Sequence, residues 1–139
     1  MIKLFSATAM ALWLAAPAHA EQYMLMFFEN EAEVATLRDN AALTGPYWDA
    51  WNAYIGEMYK SGVVLKGDPL MPPATANTVR LEGGKPVVQE GPVTATPGLV
   101  SGYLVIEVPD LDAALSLAAR SPASTYGAVE VRPVAKLPN

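Results

Sequence analysis

The chain has 139 residues, 52% of them apolar, with a formal net charge of −5, no cysteine and a single histidine, His19. An acidic balance argues against nucleic acid and anionic membrane surfaces as partners. Without a thiol there is no disulfide and no cysteine nucleophile.

Residues 1–20 read as a secretory signal peptide. Lys3 supplies the positive start, Leu4 to Ala16 the apolar stretch, and Ala18-His19-Ala20 a small-x-small cleavage site before Glu21. A membrane anchor is the competing reading, but it needs about 20 apolar residues, and this run is shorter and ends at Pro17. Cleavage after Ala20 predicts a periplasmic or secreted product, residues 21–139, with no membrane attachment. The cut removes Lys3 and His19, leaving eight basic and fourteen acidic residues, a formal charge of −6. The mature chain then has neither imidazole nor thiol, which excludes Ser-His and Cys-His catalysis and the common zinc sites. No metal or cofactor is expected. About 119 residues suffice for one domain and not for two.

Tyr23 to Phe28, YMLMFF, is too short for a helix and too apolar for a surface strand, so it predicts a buried central strand. Glu29 to Ala42, with Val34, Leu37 and Ala41 at helical spacing, predicts a short helix. A longer helix follows, capped by Thr44 or Gly45 with Pro46 in its first turn. Tyr47, Trp51, Tyr54, Ile55 and Met58 form its apolar stripe, and Gly62 ends it. Val63 to Lys66 is the next strand. Asp68 to Pro73 is proline-rich and predicts a loop. Asn77–Glu82 and Pro86–Gln89, joined by Gly83-Gly84, predict a β-hairpin. Glu90-Gly91-Pro92 is a turn leading into the polar loop Thr94 to Gly98, which arrives on a strand from Gly102 to Val108. A polar loop delivered onto a rigid strand is a common way to build a ligand site. Asp110 then caps a helix with Leu111, Ala114, Leu115 and Ala118 on one stripe, ended by Pro122, and Val129 to Val134 is the last strand.

Setting the hairpin aside, the order is β-α-β twice. This is the ferredoxin-like split βαβ plan, an α+β fold with both helices on one face of an antiparallel sheet. The bare second face, together with Trp, Tyr and Met in so small a domain, predicts a homodimer.

The series Trp51…Tyr54…Gly62-Val63-Val64-Leu65…Gly67-Asp68-Pro69-Leu70…Pro72-Pro73-Ala74-Thr75…Thr78-Val79-Arg80, with Glu90-Gly91-Pro92, Gly102-Tyr103, Val108-Pro109-Asp110-Leu111-Asp112-Ala113-Ala114 and Gly127-Ala128-Val129-Glu130-Val131-Arg132-Pro133, resembles the YCII-related family, in particular its DGPF domain branch. The resemblance spans essentially the whole mature chain and implies a dimeric α+β barrel. The branch's Asp-Gly-Pro-Phe stands here as Glu90-Gly91-Pro92-Val93, and the charged residues that usually follow are replaced by the uncharged Thr94 to Ser101. Better-studied members carry a His-Asp pair proposed as catalytic; the mature chain has no histidine.

Two carboxylates, Glu90 and Asp68, sit at strand ends beside Gly and Pro. Each is a candidate acid or base if held in an apolar pocket, or else a turn residue accepting backbone hydrogen bonds. Tyr103 is the third candidate catalytic residue, as a donor to a substrate oxygen. Arg80 and Arg132 are candidate ligands for a carboxylate, with a solvent-facing Arg80 and an Arg132–Glu130 ion pair as the structural alternatives. Trp51, with Trp48, offers a face for an aromatic ligand or simply a core residue. Three readings result: a protein binding a small aromatic or carboxylated molecule between sheet and helices, an acid/base enzyme of isomerase or lyase type using Glu90 and Asp68, or a non-catalytic assembly module.

Overall fold

The structure, a computed structural model, describes residues 20–94 and 99–136. All but the last residue of the signal peptide expected over residues 1–20, and most of the Thr94 to Gly98 loop, lie outside them. Four strands form one antiparallel sheet: β1 (Glu21–Glu29), β2 (Val64–Pro69), β5 (Leu99–Val108) and β6 (Gly127–Pro133), in the order β2-β5-β1-β6. The hairpin of β3 (Asn77–Glu82) and β4 (Lys85–Glu90) is a separate two-stranded sheet. Helices α1 (Glu31–Asp39) and α2 (Ala41–Lys60) join β1 to β2, and α3 (Leu111–Ala119) with the one-turn α4 (Ala123–Tyr126) joins β5 to β6. This is the ferredoxin-like α+β arrangement that the sequence predicts.

The apolar run of β1 divides by parity. Tyr23, Leu25, Phe27 and Glu29 are buried, while the alternate residues between them are half-buried. Opposite Leu25 lie Leu104 and Val131, and Tyr23 faces Ile106. Tyr54 and Met58 of α2 and Ala114 and Ala118 of α3 close over this face. Phe27 meets Trp51 and Tyr54 edge-on, at 5.2 and 6.2 Å between ring centres. Such pairs add stabilisation beyond the area they bury. On the other face, Met24, Met26, Phe28 and Tyr103 are only half covered.

Several local expectations are corrected. Helix α2 starts at Ala41, not after Thr44, because Asn40 has an extended backbone and its side chain accepts from the Ala42 amide at 3.0 Å. Pro46 therefore lies inside the helix. Asn40 also ends α1, its own N–H reaching the Thr36 carbonyl. Strand β2 runs on through Asp68 and Pro69, which pair with Tyr103 and Gly102. An edge strand tolerates proline because one side of its backbone needs no partner. In α3 the covered residues are Ala114 and Ala118, flanked by Ala113 and Leu117, whereas Leu111 and Leu115 are 44% and 46% exposed. Small residues let this helix approach the sheet and leave the two leucines outside. Pro122 ends α3 as expected but has helical backbone itself and opens α4. The Gly83-Gly84 turn is as read, with φ of 56° and 80°.

Tyr54 gives the fold an alkaline limit. Burial pushes its hydroxyl from 10.0 up to about 12, and that hydroxyl donates to the Leu117 carbonyl at 3.2 Å. A group whose folded pKa is raised contributes stability in full below its unfolded pKa and loses it as pH rises through the folded one. The contribution is therefore present below pH 10.0 and lost as pH rises towards about 12. Tyr54→Phe is expected to fall less in urea midpoint between these limits than the wild type does. An equal fall in both proteins would remove Tyr54 as the cause.

Candidate functional site

Between α2 and the β2–β5 half of the sheet is a cavity of about 460 Å³. That lies within the usual range for small-molecule sites. Its wall on α2 is aromatic, with Tyr47, Trp48, Trp51 and Tyr59, and Phe27 stands on the sheet beneath them. The opposite wall is the stretch Leu70 to Pro73 after β2, the proline-rich segment that the sequence marks as irregular. Backbone pairing holds this wall in place. The Leu70 amide donates to the Ser101 carbonyl at 2.8 Å, and Ser101 is the extra residue where the β1–β5 register slips between Phe27 and Phe28. A bulge of this kind redirects the chain beside a site. Ser101 Oγ in turn donates to the Phe27 carbonyl at 3.3 Å.

Of the residues singled out from sequence, Trp51, Asp68 and Tyr103 border this cavity. Asp68 and Tyr103 are register partners, and the tyrosine hydroxyl donates to Asp68 Oδ2 at 3.2 Å. That hydrogen bond, and secondly the carboxylate's charge, raise the Tyr103 pKa above 10.0. At neutral pH Tyr103 is thus a donor and not a base. The alternation of β5, with Gly102 and Leu104 on the helix face, puts the side chains of this pair on the outer face of the sheet. Glu90 ends β4, opposite Asn77, and does not border the cavity. Arg80, on β3, donates to Gln89 Oε1 at 3.1 Å across the hairpin. Arg132 is on β6 with its guanidinium on Glu130, the ion pair considered as its alternative. The structure thus brings together Trp51, Asp68 and Tyr103 and separates Glu90, Arg80 and Arg132 from them.

Sequence reasoning missed Glu29 and Tyr47. Glu29 continues the buried parity of β1, is 7% exposed, and its Oε1 accepts from the Tyr47 hydroxyl at 3.0 Å. The signal was available: Tyr23, Leu25, Phe27 and Glu29 are two apart, so a strand burying the first three also turns the acid inward. Among the described residues, no group of three or more His, Asp or Glu is placed to hold a metal ion, and no helix is long and apolar enough to cross a membrane.

No curated protein matches the chain. One solved structure it is similar to is 5-chloro-2-hydroxyhydroquinone dehydrochlorinase from Burkholderia phenoliruptrix AC1100, in complex with 2,5-dihydroxybenzoquinone. The two share 16% identity over 80% of this chain and 90% of that one, with a TM-score of 0.45. The YCII-related domain matches residues 22–138, all but the leading segment and the last residue, and the chain belongs to that family.

Proposed function

We propose that this YCII-related domain protein binds a small aromatic molecule in the cavity between α2 and the sheet. The observation carrying this reading is the aromatic wall of Trp48, Trp51 and Tyr59 facing an apolar loop across about 460 Å³. Rings stack or meet edge-on with a bound ring, and burial of an apolar ligand supplies most of the affinity. Trp51 is half-buried, packed against Phe27 yet bordering the cavity, so its core and ligand roles coexist. A second reading, proton transfer, would rest on the hydrogen-bonded Asp68 and Tyr103 acting on the outer face of the sheet, on the far side from the aromatic wall. Glu90 would then serve the turn at Gly91 and Pro92 that follows β4.

The protein acts after export in this proposal, cleaved between Ala20 and Glu21, and as a homodimer whose half-covered sheet face, with Met24, Met26 and Phe28, meets a second copy. N-terminal sequencing of the periplasmic fraction and light scattering at micromolar concentration test these two points. An uncleaved N-terminus or a monomer would contradict them. For the ligand, a thermal-shift screen of the mature protein with phenols, aromatic amines, aromatic acids and lactones is expected to raise the melting temperature with one chemical series. Trp51→Ala should weaken that series roughly tenfold, the effect of losing one well-packed ring contact. If no compound shifts the wild type, assembly without a ligand becomes the better account.

A further inference from the structure

Glu29 has a use beyond holding Tyr47. A carboxylate offers two oxygens with room for several donors, and the Tyr47 hydroxyl occupies one of those positions. The acid is buried beside Phe27 and under the aromatic residues of α2, where an uncompensated negative charge is costly. Among the described residues that border the cavity there is no Lys, Arg or His to compensate it. A carboxylate-bearing ligand would meet like charge here. A cation would meet a carboxylate and the negative faces of Trp48 and Trp51.

Resting on the reading of the cavity as an aromatic-binding site, we infer that its ligand is an aromatic compound bearing a protonated amine, the ammonium on Glu29 and the ring among Trp48 and Trp51. The inference narrows the expectation from sequence of an aromatic or carboxylated ligand to one charge class. Asn52, on the same helix and bordering the same cavity, supplies a further acceptor for the ammonium.

Calorimetric titration of the mature protein with 2-phenylethylamine, 2-phenylethanol and 3-phenylpropanoate tests it, since the three differ in the charge of the head group. The wild type is expected to bind the amine at least roughly tenfold tighter than the alcohol, a charged hydrogen bond being worth that much, and the propanoate most weakly. Glu29→Gln, which keeps an acceptor for Tyr47, should bring the amine down to the level of the alcohol. Equal or tighter wild-type binding of alcohol or propanoate overturns the charge selection. If Trp51→Ala then weakens all three, the aromatic-binding reading survives that result. A preference for the amine that persists in Glu29→Gln overturns the assignment to Glu29. Binding of none of the three overturns both readings. The wild-type comparison decides the charge question without relying on any variant to fold.

Discussion

Gly67→Ala is expected to lower stability by about 3 kcal/mol, at the upper end of the usual overpacking range, and to abolish with it the ligand binding proposed for the cavity. Gly67 sits on β2 against β5, where an added methyl group would run into the Leu104 side chain and the Tyr103 carbonyl. The obstacle is partly backbone, which cannot rotate aside as a side-chain tip can. Relief requires β2 to separate from β5 at the point where Asp68 and Pro69 lead into the Leu70–Pro73 wall. The defect therefore begins as a packing clash and ends as a misplaced cavity wall. For a domain of this size the midpoint of a thermal melt should fall by roughly 10 °C. A melt within about 2 °C of wild type would show that β2 accommodates the methyl group and that the close approach is not needed.

Leu25→Ala is the second large effect, with an expected loss of about 3–4 kcal/mol. Leu25 is fully buried on the central strand, between Leu104 and Val131. Removing its branched end leaves a void whose walls are strands held in register on both sides, so collapse into it is limited. Denaturant unfolding should show a lower midpoint with an unchanged slope, because the surface exposed on unfolding is nearly the same. The same truncation at Met24, one residue away and on the half-covered face, should cost less than half as much. Equal losses at both positions would mean that the two faces of the sheet are equally packed, contrary to the burial pattern.

The elements governed by periodicity were legible in the sequence. Strand β1, the stripe of α2, the Asp110 cap and the Gly83-Gly84 hairpin follow from spacing and from residues with few conformational options. The start of α2 was not, because Asn40, Thr44 and Gly45 all suit a cap and only the packing of the chain chooses among them. The orientation of α3 was not, because alanine and leucine both count as apolar in a stripe while only alanine permits close approach. For the site, Asp68 drew notice as a carboxylate at a strand end, Tyr103 as a hydroxyl donor on a strand and Trp51 as a ring on the stripe of α2, and all three border the cavity. Which residues a cavity gathers depends on strand order and register. Glu90 and Arg80 shared the chemistry of site residues and went with the hairpin, a sheet of its own. Glu29 was hidden by its position at the end of an apolar run, where a charged residue looks like a boundary when it is a continuation of the inward face.

The alternation in β1 has a consequence for how this protein tolerates change. One run of six apolar residues carries two independent instructions, read on opposite sides of a single strand. The odd-numbered residues answer to the domain's own interior and, through Glu29, to its cavity. The even-numbered ones answer to whatever lies against the sheet from outside. On the proposed dimer and ligand, substitutions at Met24, Met26 and Phe28 would alter association while the cavity side of the strand stays unchanged, and each property would be free to drift without the other.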